Sequence, residues 1–491
     1  MVFSSLLFLL CFLPLCIGVY YVVPHFSKAV NEEHRLQNGI LLTFSILFYA
    51  FGGVKYLALM LFVIFLNWAG GFSVSKKRHK DIARKFFLVI VLFCNIGVLF
   101  FFKYFNLFTA VLETLLFPEM ATGGRMINLL NGTGNGALGW PEVVLPIGVS
   151  FYTFQAMSYV VDVYRDEAPL QTDIFKFALY ISFFPQLIAG PIVQYRDIER
   201  QLSLRQESVD RFASGIRRFC FGLAKKVLIA NTLGEMVDTI WELDPSKIGF
   251  STAWLAAIGY TFQIYYDFSG YSDMAIGLGK MFGFEFKENF NYPYQSVGIT
   301  DFWRRWHMSL SYWFRQYVYI PLGGNRGSKF KTYRNLFFVF MLTGIWHGAN
   351  WTFFVWGLSY GILIIIEKAF IKDFYERFRI RTLVRLVTFF IVTVLWVVFR
   401  ADTIVSAWNF ILRMFTKGSE QQINALSFLT GKRLITLIIA ILCAGIIQKI
   451  PISKKNRIFK FFAGILSLVL FAISIIFLVN GTYNPFIYFQ F

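Results

Sequence analysis

The sequence predicts an all-α polytopic membrane protein, and three observations carry that prediction. Of the 491 residues, 57% are hydrophobic and only 15% are charged, against about 25% charged in an ordinary soluble domain. Apolar runs of near-membrane length recur along the whole chain. Aromatic residues make up 20% of it, with 60 Phe. This composition excludes a disordered chain, a coiled coil and a disulfide-stapled secreted module.

The runs justify the elements in order. Val2–Val23 has no positive leader and no small-residue cleavage site, so it reads as a first span and not as a removed signal peptide. Further runs cover Ile40–Ala50, Tyr56–Phe72, Phe86–Phe102, Leu145–Val163, Phe175–Ile192, Phe219–Ile240 and Thr252–Tyr266. Later ones cover Leu336–Ile345, Trp351–Ile366, Leu383–Phe399, Leu434–Ile447 and Phe461–Val479. A helix needs about 20 apolar residues to cross the hydrocarbon core, so about 11 to 12 crossings are expected, with some short runs re-entrant or interfacial. No internal repeat, low-complexity tract or separable soluble domain is visible.

Charge sets the expected topology. The net charge is +19, from 47 Lys and Arg against 28 Asp and Glu. In a soluble protein this would suggest nucleic acid. Here basic loops on the cytoplasmic side, facing anionic lipid heads, account for it, and no nucleic-acid partner is expected. Lys76-Lys77-Arg78-His79-Lys80, with Arg84 and Lys85, marks a cytoplasmic loop after three crossings, so the N-terminus is placed outside. The loop Asn106–Glu142 is poor in Lys and Arg and fits the outside. Arg217, Arg218, Lys225 and Lys226 read as a cytoplasmic amphipathic helix. Lys449, Lys454, Lys455, Arg457 and Lys460 precede the last span on the cytoplasmic side, and the uncharged tail Asn480–Phe491 is expected to emerge outside. The expected division is a transmembrane domain over 1–456 and a final span with its aromatic tail over 457–491.

Cys11, Cys16, Cys94, Cys220 and Cys443 form no CxxC, and most lie in apolar runs, where a thiol acts as a small hydrophobe. No disulfide or metal framework is expected.

Polar residues gather between Tyr265 and Trp356. The stretch holds Asp267, Asp273, Arg304, Arg305, His307 and His347 among others, interleaved with aromatics. Ionisable groups at membrane depth are costly unless they face a cavity or a partner. Broken backbone at Gly323-Gly324 and Gly344–Asn350 is tolerated there only where it lines protein or water. The stretch therefore reads as the lining of an internal site, and a belt of interfacial Arg and Trp would give the same pattern. His25, His34 and His79 lie in or near basic loops and read as solvated. His307 and His347 are the candidates. A neutral imidazole can take the proton of a hydroxyl as its oxygen attacks an acyl carbon. No GxSxG or GxxxxGK[ST] pattern is present, which gives no sign of a serine nucleophile or ATP use. Two histidines forty positions apart without HExxH make a poor zinc site. Asn291, Asp267 and Asp273 read as structural.

Several segments resemble the membrane-bound O-acyltransferase family. They are Tyr265-Tyr266-Asp267-Phe268-Ser269-Gly270-Tyr271-Ser272-Asp273, Asn289-Phe290-Asn291-Tyr292-Pro293-Tyr294, Phe302-Trp303-Arg304-Arg305-Trp306-His307-Met308-Ser309, Tyr319-Ile320-Pro321-Leu322-Gly323-Gly324 and Trp346-His347-Gly348-Ala349-Asn350-Trp351. The strong motifs cover 145–361. The branch resembles the bacterial alginate and peptidoglycan O-acetylation proteins, with the D-alanyl transfer protein of teichoic acid as a shorter relative. The resemblance implies a ring of tilted helices around a thin centre or tunnel, with a funnel on each face. It implies His347 as the central catalytic histidine and His307 as the second. Trp303, Arg304, Arg305, Asn291, Trp346 and Asn350 would line the pocket. Where the family pattern leads to an Asp beside Arg315, this chain has Gln316. The end Phe486-Ile487-Tyr488-Phe489-Gln490-Phe491 resembles the branch's aromatic C-terminal motif. There the tyrosine is an acyl carrier, and an interfacial aromatic belt is the alternative for a Phe-rich tail.

The expectation is an O-acyltransferase of the bacterial cytoplasmic membrane. It would pass an acetyl group from a cytoplasmic thioester, acetyl-CoA, to an extracytoplasmic polysaccharide. Tyr488 and a secreted or periplasmic esterase-like partner would relay it. No bound cofactor or metal is expected. The rivals are a polysaccharide or lipid transporter, which inverted repeats would favour, and a lipid or protein acyltransferase of the same family.

Overall fold

The computed structural model describes residues 1–26, 34–76, 80–117, 139–140, 143–188, 190–371, 380–416, 422–446, 457–481 and 483–487. Among them the chain forms helices, turns and loops and no strand. Much of the loop after Asn106, the centre of the 76–80 basic cluster, Lys449, Lys454, Lys455 and Tyr488 lie outside the described residues.

The first helices are α1 (Leu13–Phe26), α2 (Arg35–Ala50), α3 (Val54–Val74) and α4 (Asp81–Leu116). Next come α5 (Val149–Tyr164), α6 (Ile174–Ser182), α7 (Tyr195–Leu204), α8 (Val209–Ala224) and α9 (Asn231–Trp241). Then follow α10 (Phe250–Met281), α11 (Ile299–Arg305), α12 (Met308–Phe314), α13 (Lys329–His347), α14 (Trp351–Ile366) and α15 (Arg381–Arg400). The last are α16 (Ile404–Phe415), α17 (Gly431–Ile441) and α18 (Arg457–Asn480).

Among the described residues, five helices are long and apolar enough to cross a membrane: Val54–Val74, Asp81–Leu116, Trp351–Ile371, Arg381–Arg400 and Lys460–Asn480. The other apolar runs fold as shorter pieces or carry charge, so the expected 11 to 12 crossings are not all long apolar helices. The run Phe175–Ile192 breaks after Ser182, for example. A helix shielded by other helices can carry polar groups that a lipid-facing one cannot. The two kinds differ in burial. Only 11% of the apolar window in α4 and in α18 is buried, and Phe93, Phe100 and Phe461 point outward. α10 is instead buried along most of its 32 residues, and Asp267 sits within it.

Close backbone packing fixes α10. α8 and α9 join through a π-helical stretch at Lys225–Ala230 and run antiparallel to it. A Cβ on Gly222 would lie 2.6 Å from the Gly270 carbonyl, and one on Gly215 would lie 2.6 Å from the Gly277 carbonyl. Small residues let membrane helices approach this closely. Lys226, at the π stretch, pairs with Asp267 of α10 at 2.6 Å, with both side chains almost fully buried. Lys225 and Arg218 both pair with Asp273. The stretch keeps the amphipathic character read from the sequence, with Arg217, Arg218 and Lys225 partly exposed, while Lys226 faces inward to a carboxylate on the neighbouring helix. These pairings agree with the structural reading of Asp267 and Asp273.

After α18 the described part of the C-terminal tail packs against the protein. The Tyr483 hydroxyl donates to Asp238 at 2.5 Å. Burial, with that carboxylate, pushes the Tyr483 pKa up, so the phenol stays a donor. Asn484 donates to the Ser4 carbonyl at 3.1 Å. Lys226 donates to the Pro485 carbonyl, and the Ile487 amide donates to Asp267 at 2.9 Å. The buried Lys226–Asp267 pair thus supplies a donor and an acceptor to the incoming backbone. Phe486 lies 4.6 Å from the Tyr271 ring, so this aromatic is core and not an interfacial belt.

Candidate active site

His347 is the last residue of α13 and is 4% exposed. Its ring lies edge-on to Trp356 and Phe399, each at 5.1 Å, and 4.8 Å from Trp346. The local sequence explains the placement. Gly348 is extended and ends the helix. Asn350 then caps α14 by accepting the Thr352 amide at 3.0 Å, and its amide donates to the Asp402 carbonyl at 2.5 Å. The α13–α14 hairpin closes tightly: a Cβ on Gly344 would sit 2.4 Å from the Phe353 carbonyl.

His307 is 1% exposed and sits between α11 and α12 in the left-handed region, at φ 44°. Residues 289–291 hold it there. The Met308 amide donates to the Asn289 carbonyl and the Asn291 amide to the Arg305 carbonyl, both at 2.9 Å. The Asn289 side-chain oxygen accepts from the Ser309 amide at 3.2 Å and the Ser309 hydroxyl at 2.9 Å, and contacts His307 Nδ1 at 3.1 Å. An amide N–H can only donate, so this atom is an acceptor and Nδ1 carries the proton. In the neutral ring the lone pair is then on Nε2. Asn289 itself donates to Ser272 on α10 at 3.0 Å. Phe268 stands edge-on to His307 at 4.7 Å. Trp346 links the two histidines, with its ring 6.1 Å from His307 and 4.8 Å from His347.

Two large cavities approach this centre from opposite ends of the same helices. One, of about 640 Å³, is lined by Arg381 and Arg385 at the start of α15 and by Leu336–Thr343 positions of α13. The other, of about 450 Å³, is lined by Phe399 and Arg400 at the end of α15 and by Gly348–Asn350 just past α13. His347 lies where α13 ends, and it lines a separate small cavity of about 30 Å³ with Lys103 and Trp346. The larger cavity is basic: Arg304, Arg315, Lys368, Arg381 and Arg385 line it against Asp301 and Glu367.

The predicted lining residues separate. Trp303 and Arg304 line the basic cavity, Trp346 the small one and Asn350 the third. Arg305 is instead held by Asp301 at 3.0 Å, and Asn291 is exposed. Neither lines a described cavity, because the 289–291 segment turns Asn289 inward and Asn291 outward. Asn289 is one residue that sequence reasoning missed. It stands in the quoted motif, but the pattern does not say which of the two asparagines faces in. The backbone of Gln316, at the expected Asp position, accepts from Arg165, and the Tyr317 hydroxyl bonds Asp162 at 2.7 Å. His34, expected to be solvated, bonds the Arg205 carbonyl at 2.9 Å. Among the described residues, no group of three or more His, Cys, Asp or Glu side chains could hold a metal ion.

Comparison with known proteins follows the same outline. The family model for MBOAT, the membrane-bound O-acyltransferase family, matches residues 163–406. The probable alginate O-acetylase AlgI of Pseudomonas aeruginosa is 41% identical over 90% of this chain and 80% of its own length. The peptidoglycan O-acetyltransferase of Helicobacter pylori is 33% identical over 83% of this chain and 78% of its own. The teichoic acid D-alanyltransferase of Bacillus subtilis is 30% identical over 46% of this chain and 60% of its own. With buried histidines between two opposed cavities in a multi-pass helical frame, the chain belongs to the membrane-bound O-acyltransferase family and is an O-acyltransferase.

Proposed function

We propose that this protein transfers an acetyl group from a cytoplasmic thioester to a hydroxyl of an extracytoplasmic polysaccharide. The observation that carries the reading is the placement of His347 between opposed cavities, one of them basic. Acetyl-CoA as donor fits the basic cavity, where Arg304, Arg315, Arg381 and Arg385 could meet its phosphates. The alginate and peptidoglycan O-acetylating relatives support acetyl as the group and polysaccharide as the acceptor class.

His347 acts as general base. Its neutral ring takes the proton of the acceptor hydroxyl while that oxygen bonds the acyl carbon. The C–S bond then breaks, and the leaving thiolate takes the proton back. Such base catalysis contributes about 10²–10⁴-fold. His307, its tautomer held by Asn289 with the lone pair on Nε2, takes up the second proton. Burial of both rings keeps water from the thioester.

Tyr488 is the proposed first acceptor. The support is its neighbour: the Ile487 amide bonds Asp267, and the next residue of α10, Phe268, packs on His307. A secreted or periplasmic esterase-like transferase would take the acyl group from the phenol ester onto the sugar. The basic cavity belongs to the cytoplasmic face in this scheme, and the protein to the bacterial cytoplasmic membrane.

The test supplies labelled acetyl-CoA to inverted membrane vesicles carrying the full chain. Label should appear on the protein as an alkali-labile ester in the C-terminal peptide. Tyr488→Phe should abolish both that label and polymer acetylation while leaving the protein folded. Full polymer acetylation by Tyr488→Phe would remove the relay. Label transfer that is indifferent to His347→Ala would remove the base.

A further inference from the structure

Lys103 is a cation on α4, one of the two apolar helices with the least buried windows, yet it is turned inward. α4 rises from Asp81, and Lys103 lies about 33 Å along its axis at 1.5 Å per residue. A lysine near the end of a span ordinarily snorkels to water along the lipid surface. This one donates instead to the carbonyl of Trp346, and the next residue, Tyr104, donates its hydroxyl to the carbonyl of Ile345. The Lys103 ammonium also stands 5.4 Å from the centre of the Trp346 ring.

These two carbonyls belong to the last turn of α13, whose final residue is His347. The last four carbonyls of a helix have no partner within it, and the helix end favours a positive charge. Lys103 meets both needs and, with His347, lines the same small cavity. It also lines the cavity at the far end of α15.

We propose that Lys103, with Tyr104 as its second donor, is a positioning residue that locks the end of α13 and so fixes the His347 ring relative to the reacting acyl group. This rests on the reading of His347 as the general base. The clamp ties a peripheral helix to the catalytic one at the residue before the base. A displacement of about 1 Å at a reacting group can cost 10²-fold in rate.

The test measures thiol release from acetyl-CoA by inverted vesicles containing the full chain and native envelope polymer, with His347→Ala subtracted. Lys103→Met should lower kcat about tenfold or more with KM for acetyl-CoA within about twofold, since the donor cavity is untouched. Lys103→Arg should restore most of kcat, because a guanidinium can still donate to the Trp346 carbonyl. Tyr104→Phe, which removes one hydroxyl only, should lose several-fold in kcat at unchanged KM. That variant decides the matter if Lys103→Met does not fold. Wild-type kcat in Lys103→Met or, where that variant does not fold, in Tyr104→Phe would overturn the proposal. So would a change confined to KM. If wild type shows no His347-dependent release at all, the base assignment itself fails, an outcome distinct from either.

Discussion

A buried histidine is useful as a base only if its ring is held in one orientation and one tautomer. Asn289 does this for His307, because its oxygen is committed to accepting by the Ser309 amide. Asn289→Ala should therefore cost about 1–3 kcal/mol of stability by leaving buried donors unpaired. Thermal unfolding in detergent would read this as a lowered Tm, with transfer activity falling further than the folded fraction. An unchanged Tm would mean that the 289–291 segment is held by its backbone alone. At this scale the sequence set His347 and His307 apart because ionisable groups in an apolar setting stand out, and both are buried. It was blind to Asn289 and Lys103. Their roles depend on backbone turns and on contacts between α4 and α13, which no local pattern encodes.

Elements were legible where lipid dictates their composition and less so inside. α3, α4, α15 and α18 coincide with apolar runs because their outer faces must be apolar. α8 was legible as an amphipathic helix, but the burial of Lys226 was not, because the partners Asp267 and Asp273 of this basic cluster lie some forty to fifty-five positions away. The Lys226–Asp267 pair predicts a specific asymmetry. Lys226→Met alone leaves a buried carboxylate and should cost about 3–5 kcal/mol, whereas Lys226→Met with Asp267→Leu should be much less destabilised. Both variants should also release the tail, because the pair bonds Pro485 and Ile487. Protease clipping of the C-terminus, followed by mass spectrometry, would detect that release; a tail as protected as in wild type would contradict the latch. At the hairpin, Gly344→Val should misplace His347, since even a Cβ there would meet the Phe353 carbonyl at 2.4 Å. The expected readout is loss of activity with the protein still in the membrane.

For the whole molecule, the charge pattern and the cavities make one joint statement about sidedness. The basic cavity opens where α15 begins, and the other opens where it ends. With the basic side cytoplasmic, a cysteine at Ser328, before α13, should react with a membrane-impermeant thiol reagent only in inverted vesicles. A cysteine at Ser246, in the turn between α9 and α10, should react only in intact cells or right-side-out vesicles. The reverse labelling would invert the donor and acceptor faces. The family resemblance was legible from motifs over 145–361, while the inward path of the tail was not. The absence of charge in the tail bears on the side it reaches, and only the fold reveals the ion pair that receives it.

His347-driven acetylation of an envelope polymer has a direct readout. Its most direct test is the ester-linked acetate released by mild base from envelope polysaccharide. A deletion strain would carry wild type, His347→Ala or empty vector at matched expression. Acetate should be released with wild type only. Equal acetate from wild type and His347→Ala, or none above empty vector in either, would contradict it.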